Sequence, residues 1–167
     1  MNESVVKEIE REGLVEKKVV EEVRERITWL VFSILDRKYA IKSGAVDEII
    51  HDVKIYRLPF LPSYVEGVMN RRGEPVTVLN PVSFIDEECG DVVDSSLFLV
   101  LKRSDDKLSL HISDILFFCE TEGDDLHLIP NTDDERVVLG TIDYNHEEIP
   151  VLNPDSFEIL LRKDLGS

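Results

Sequence analysis

Gly67-Val-Met-Asn-Arg-Arg-Gly-Glu-Pro-Val-Thr-Val-Leu-Asn-Pro81 aligns without a gap to Gly140-Thr-Ile-Asp-Tyr-Asn-His-Glu-Glu-Ile-Pro-Val-Leu-Asn-Pro154. Identities fall at Gly67/Gly140, at Glu74/Glu147 and through the whole Val-Leu-Asn-Pro ending, six of the fifteen positions at one offset. So dense a match marks an internal repeat. Each copy reads as a hairpin, with β-branched runs on either side of a short polar turn, Arg72-Gly73 in the first and Tyr144-Asn145-His146 in the second. A fainter echo lies upstream, where Leu30-Val31-Phe32 with Asp36 and Lys38 lines up with Leu99-Val100-Leu101 with Asp105 and Lys107 at an offset of 69. Each half therefore holds an opening hairpin, a crossing stretch, a closing hairpin and a stop at Asn-Pro.

The rest of the chain from Ile27 onward has the same grammar. Strands are predicted over Ile27 to Leu35, Lys38 to Lys42, Ala45 to Ile50, Val65 to Arg71 and Val76 to Leu79. The second half repeats them over Val92 to Leu101, Lys107 to Ile112, Ile115 to Cys119, Val137 to Asp143 and Ile149 to Leu152. Asp36-Arg37 and Ser104-Asp105-Asp106 read as further hairpin turns. The reading is all-β: two small five-stranded β-barrels related by pseudo-twofold symmetry, the first over about 27–90 and the second over about 91–155. A groove between the halves is the natural binding surface. Helix is expected briefly after Pro81 and over about 155–163, where Asp155 or Ser156 caps a segment through Phe157 to Leu161.

Residues 1–26 stand apart as a charged helical extension. Between positions 3 and 26 there are eight acids and six bases, and Val5, Ile9, Val19, Val23 and Ile27 recur near the helical period. The apolar stripe is thin, which suits either a loosely docked extension or a helix that recruits a partner or a second copy of the chain. Ser4 or Asn2 caps its start, and Gly13 is a weak point between two segments.

Composition sets the function classes aside. A chain of 167 residues makes one ordinary domain or two halves sharing a core. Its net charge of −16 would be repelled by a phosphate backbone or an anionic lipid surface. The longest apolar runs, such as Ile115-Leu116-Phe117-Phe118-Cys119, are five residues, which predicts no membrane span and no secretory signal. Cys89 and Cys119, without CxxC spacing, read as free cytosolic thiols.

No catalytic hardware is legible. The eight glycines never fall closer than six residues apart, so neither GxGxxG nor GxxxxGK can exist. His51, His111, His127 and His146 are scattered without HExxH, and Cys119 with His127 makes at best half of a metal site. The acid clusters Asp86-Glu87-Glu88, Asp124-Asp125 and Asp133-Asp134-Glu135 lack EF-hand spacing and read as solvated turns. No serine elbow occurs. The expectation is a protein without catalysis, metal or cofactor.

One family matches the order of motifs. Leu30-Val31-Phe32, Tyr39-Ala40-Ile41, Val46-Asp47-Glu48-Ile49-Ile50, the proline loop at Leu58-Pro59 and Tyr64 through Gly73 closely resemble the CheW family of chemotaxis coupling proteins. The sharpest element is the Gly-Val-x-Asn-x-Arg-Gly hairpin at 67–73, and the resemblance covers about residues 27–162. The resemblance implies two five-stranded barrels and a non-catalytic adaptor that joins the cytoplasmic tip of a chemoreceptor to the regulatory domain of the histidine kinase CheA. It implies a cytoplasmic protein recruited to membrane-associated receptor arrays. By match to the family, Val46, Glu48, Gly67, Val68 and Arg72 are receptor-binding positions, with Glu48 placed to pair with Arg72. Ile49, His51 and Ile55 match the first kinase contact and Leu128 the second.

The chain also departs from the family. Arg71 stands where an apolar residue usually precedes the Arg-Gly turn, both copies end in Asn-Pro where an acid and leucine are usual, and Ile115 to Phe118 replaces an aspartate-valine pattern. These departures fit a specialised member, and a divergent scaffold that self-associates through residues 1–26 and has lost kinase coupling is the alternative reading.

Overall fold

A computed structural model describes residues 25–86, 93–103, 107–131 and 133–166. The extension through position 24, the turn at 104–106, Cys89 and the acids Glu87 and Glu88 lie outside the described residues. Twelve strands form two six-stranded sheets. In chain order they are β1 (Arg26–Ile34), β2 (Arg37–Lys42), β3 (Val46–His51), β4 (Ile55–Tyr56), β5 (Val65–Arg71) and β6 (Glu74–Leu79). The second half gives β7 (Leu97–Leu101), β8 (Leu108–Ile112), β9 (Asp114–Glu122), β10 (Leu126–Leu128), β11 (Val138–Tyr144) and β12 (Glu147–Leu152). Two helices follow the Asn-Pro endings, α1 (Val82–Ile85) and α2 (Pro154–Asp164).

Sheet A runs β10-β11-β12-β2-β1-β9 and sheet B runs β3-β7-β8-β6-β5-β4. This corrects the barrel boundaries at 27–90 and 91–155. The two halves exchange their opening hairpins: β1–β2 joins the closing hairpin of the second half through a parallel pair, Val151 with Ala40. Likewise β7–β8 joins the first half through Thr77, Val78 and Leu79 against Leu108, Ser109 and Leu110. The count is six strands per sheet because β4 and β10, two and three residues long, are too short to show a period.

Each sheet begins and ends with strands adjacent in the chain, β3 with β4 and β9 with β10, so each curls back until its edges are bridged by a short connection. Strand alternation then sorts the apolar residues. Trp29, Val31, Cys119, Ile142, Ile149 and Val151 fill the concave side of sheet A, and Met69, Val76, Val78, Phe98 and Val100 that of sheet B. The intervening positions, among them Leu30, Phe32, Leu99, Leu110 and Leu152, pack between the sheets with Phe157 of α2. Truncating any of these leucines to alanine costs about 2–5 kcal/mol.

The repeat is visible residue by residue. The closing hairpins β5–β6 and β11–β12 have the same burial sequence along both strands and the same register shift, between Val65 and Gly67 and between Val138 and Gly140. Their two-residue turns put Arg72 and Gly73, then Asn145 and His146, at positive φ, the backbone a tight hairpin requires. In the opening hairpin the turn residues are Leu35 and Asp36, one earlier than the sequence suggests. The Asn-Pro endings also share one geometry. Asn80 Oδ1 accepts from the Val82 N–H at 3.1 Å and Asn153 Oδ1 from the Asp155 N–H at 3.2 Å. Asn153, not Asp155 or Ser156, is thus the cap of α2, with Pro154 at its first turn.

Helix α2 is fastened to the first half. Tyr64 donates its hydroxyl to Asp164 at 2.5 Å, and its ring starts a ladder to Phe84 (4.4 Å between centroids) and on to Phe157 (5.2 Å). Burial and then the Asp164 carboxylate push the Tyr64 hydroxyl well above the usual phenol range.

Candidate binding surface

Sheet B closes on charge. Glu48 lies opposite Val100 and so faces the concave side of the sheet, where Arg71 also projects, two residues beyond the buried Met69. β3 and β5 are not ladder neighbours. The Arg71 guanidinium crosses the gap, donating to Glu48 and, through Nη1 at 2.9 Å, to Asp47. Its side chain is only 12% exposed. Burial works against the Arg71 charge, but the hydrogen bonds to Asp47 and Glu48 outweigh it and hold the guanidinium above its ordinary value. Such a pair orients the strands it joins more than it stabilises them.

Glu48 does pair with Arg72, as expected, but only as the longer of two ion pairs, since Arg71 holds the same carboxylate more closely. Arg72 occupies the hairpin turn at φ 52°, its side chain is 81% exposed, and it only approaches the other Glu48 oxygen, at 3.8 Å. The signal for Arg71 was present in the chain: it shares a strand face with Met69, and that face needs an acid partner wherever it holds a cation. The turn is pinned by Asn70 Oδ1, which accepts from the Gly73 N–H at 2.8 Å.

The other positions fall as follows. Gly67 is buried at φ 149°, and a Cβ there would run into the carbonyl of Tyr56 on β4. Gly140 meets His127 of β10 in the same way, so both glycines let a short edge strand lie close against a closing hairpin. Val68 is half-buried opposite Tyr56 and Thr77. Val46 and Ile49 are half-buried against the inter-sheet core, while Ile55 packs toward the concave side of sheet B. His51 is exposed, with Nδ1 3.3 Å from Asp52. Leu128 is exposed and sits on the other sheet, on β10 opposite Gly140. The structure thus gathers eight of the nine positions on β3, β4, β5 and the β5–β6 turn, and places Leu128 apart.

Composition and pattern missed two features. Beside the turn, Val53, Lys54, Tyr56, Asn70, Arg72 and Gly73 line an open depression of about 420 Å³. Tyr56 is exposed on its wall with Lys54 4.9 Å from the ring centroid, and Leu58 and Phe60 follow Tyr56 in the chain, both exposed and Phe60 fully so. An exposed apolar run rimmed by cations marks a surface for a partner. The second feature is buried: His111 Nδ1 is 2.8 Å from Glu66 Oε2 and Nε2 is 2.5 Å from the Ser95 carbonyl. Both ring nitrogens face acceptors, an arrangement that favours the imidazolium form. Burial opposes that charge, yet the bonds to Glu66 and Ser95 raise the His111 pKa.

Cys119 is buried inside sheet A, where burial pushes its thiol up, and His127 Nε2 donates to the Asp143 carboxylate at 2.8 Å. Among the described residues no helix is long and apolar enough to cross a membrane.

The CheW-like domain model matches residues 28–158. Among solved structures, the fold is similar to that of the scaffolding protein TtCheW from Thermoanaerobacter tengcongensis, with a TM-score of 0.66 at 21% identity over 77% of this chain and 89% of that one. No curated protein sequence matches the chain. From the first strand to the start of the C-terminal helix, this chain belongs to the CheW-like domain family.

Proposed function

We propose that the protein is a non-catalytic adaptor that couples the cytoplasmic tips of chemoreceptors to the regulatory domain of the histidine kinase CheA. The observation that carries this reading is the β5–β6 turn: Arg72 is held out from an ion-paired seam and lines one depression with the exposed Tyr56. A receptor tip is a helical hairpin, and its amphipathic surface suits an apolar strip edged by Arg72 and Lys54. On this reading Val46, Glu48, Gly67 and Val68 shape the site from within, and Arg72 touches the receptor. His51 and Ile49 on β3, with Ile55 behind them, serve the first kinase contact, and the exposed Leu128 on sheet A serves the second.

The test is a titration of the full chain with a receptor-tip hairpin and, separately, with the kinase regulatory domain. Micromolar affinity for both is expected, and Arg72→Ala weakens the receptor complex about tenfold, the order of about 1.4 kcal/mol, while leaving the kinase complex intact. A folded chain that binds neither overturns the reading and leaves the self-associating scaffold in its place.

A further inference from the structure

The two sheets are finished differently where their parallel seams end. Val151 pairs with Ala40 in sheet A as Val78 pairs with Ser109 in sheet B. Two residues further along, Lys42 lies opposite Trp29 as His111 lies opposite Phe98. Lys42 and His111 are therefore the same position of the repeat, each beside an aromatic residue on the concave side of its sheet.

In sheet B that position is plugged from within. The His111 ring lies 4.7 Å from Phe98, and Glu66, the residue before Gly67, brings its carboxylate to within 2.8 Å of Nδ1. In sheet A the residue before Gly140 is Leu139, so the acid is missing. Lys42 is exposed and has no ion pair among the described residues. A chamber of about 290 Å³ stands open there, walled by Trp29, Leu126, Leu128, Leu139 and Val151, with Lys42 as its one cation. Its one acid, Asp155, approaches Arg103 at 3.7 Å. An adjoining cleft that shares Lys42 and Ala45 with the chamber adds Arg26, Lys102 and Arg103 against one further acid, Glu25. On a chain of net charge −16, this is a local excess of cations beside an apolar hole.

We propose that the chamber in sheet A binds a small organic anion, an aliphatic or aryl carboxylate. Its apolar body lies over Trp29 and its carboxylate pairs with Lys42, in the place that the Glu66 side chain fills in sheet B. The chamber is at the lower end of the size of small-molecule sites and has their composition, mostly apolar with one convergent polar group. The site stands apart from the adaptor reading, since this chain alone supplies both the chamber and the cation.

The test is a titration of the full chain with octanoate, followed by NMR at the indole N–H of Trp29, the only tryptophan. A saturable shift at about millimolar octanoate is expected. Octylamine should give none, although an acidic chain attracts it. Lys42→Gln weakens octanoate binding about fivefold. Leu139→Glu, which supplies Lys42 with the acid that sheet B has, abolishes it. Lys42 is exposed, so its variant stays folded and decides the matter even where Leu139→Glu does not fold. Octanoate that leaves Trp29 unshifted overturns the proposal, as does octylamine that binds equally well. Unchanged octanoate affinity in Lys42→Gln or in a folded Leu139→Glu chain overturns it too.

Discussion

The same two positions close the two sheets with opposite chemistry. In sheet A, Tyr144 of β11 packs against Phe117 of β9, ring centroids 5.4 Å apart. In sheet B the positions related by the repeat hold Arg71 and Glu48, since Glu48 pairs with Val100 as Phe117 pairs with Val31, and Arg71 ends its strand as Tyr144 does. The aromatic seam contributes by burying area. The ionic seam contributes little net stability and instead orients the strands it joins, Arg71 bridging Asp47 and Glu48. The ordered seam is the one beside the turn that carries Arg72. On the proposed function, the difference separates a seam that adds buried area from a seam that orients the strands beside the Arg72 turn.

The largest effects belong to what the halves share. Gly67→Ala and Gly140→Ala each force a Cβ into the backbone of the neighbouring edge strand, and urea unfolding should show losses of about 3 kcal/mol, with Gly67 the worse because its φ is also unfavourable to alanine. Equal tolerance at both sites would mean that β4 and β10 are not held as described.

Next come the seams themselves. Phe117→Ala should lower stability by about 2 kcal/mol. Arg71→Ala, which strands Glu48 in a half-buried site, should lower it by about 1–2 kcal/mol. Replacing the ionic seam by the aromatic one, Glu48→Phe with Arg71→Tyr, should leave stability unchanged or raised while weakening receptor binding. Retained binding in that double variant would show that the seam does not shape the surface.

The pH response sharpens the contrast further, because only sheet B contains the buried His111–Glu66 pair. The folded-state pKa of His111 lies above its unfolded value of about 6.5, so its stabilisation is complete below that value and is lost as pH rises through the raised folded value. Denaturation series from pH 6 to 9 should show stability falling on the alkaline side in the native chain, and His111→Gln should flatten that part of the curve. The smallest effect on stability is expected at Phe60→Ser, within about 0.5 kcal/mol, since the side chain is fully exposed.

Much of this fold was readable from the repeat. Short turns, paired glycines and β-branched alternation announce a hairpin locally, and the resemblance of 67–73 to the CheW family pointed the same way. The exchange of the β1–β2 and β7–β8 hairpins was not readable, since a parallel pair such as Val151 with Ala40 leaves no periodic trace in either strand. Arg72 was legible as an exposed turn residue. Its longer pair with Glu48 was legible too; the closer hold of Arg71 on that carboxylate was not, because pairing by proximity in the motif ignores which face of β3 carries Glu48, and strand alternation assigns that face to Arg71. The apolar strip at Tyr56, Leu58 and Phe60 was hidden by the opposite problem: a proline loop carries no pattern that tells a buried aromatic from an exposed one.

An adaptor has to hold both partners at once. The most direct measurement is the mass in solution of the full chain saturated with the kinase regulatory domain and then titrated with a receptor-tip hairpin. The account predicts a ternary complex, with the receptor at Arg72 in the β5–β6 turn and the kinase at Ile49 and His51 on β3 and at Leu128 on β10. Displacement of one partner by the other would contradict it.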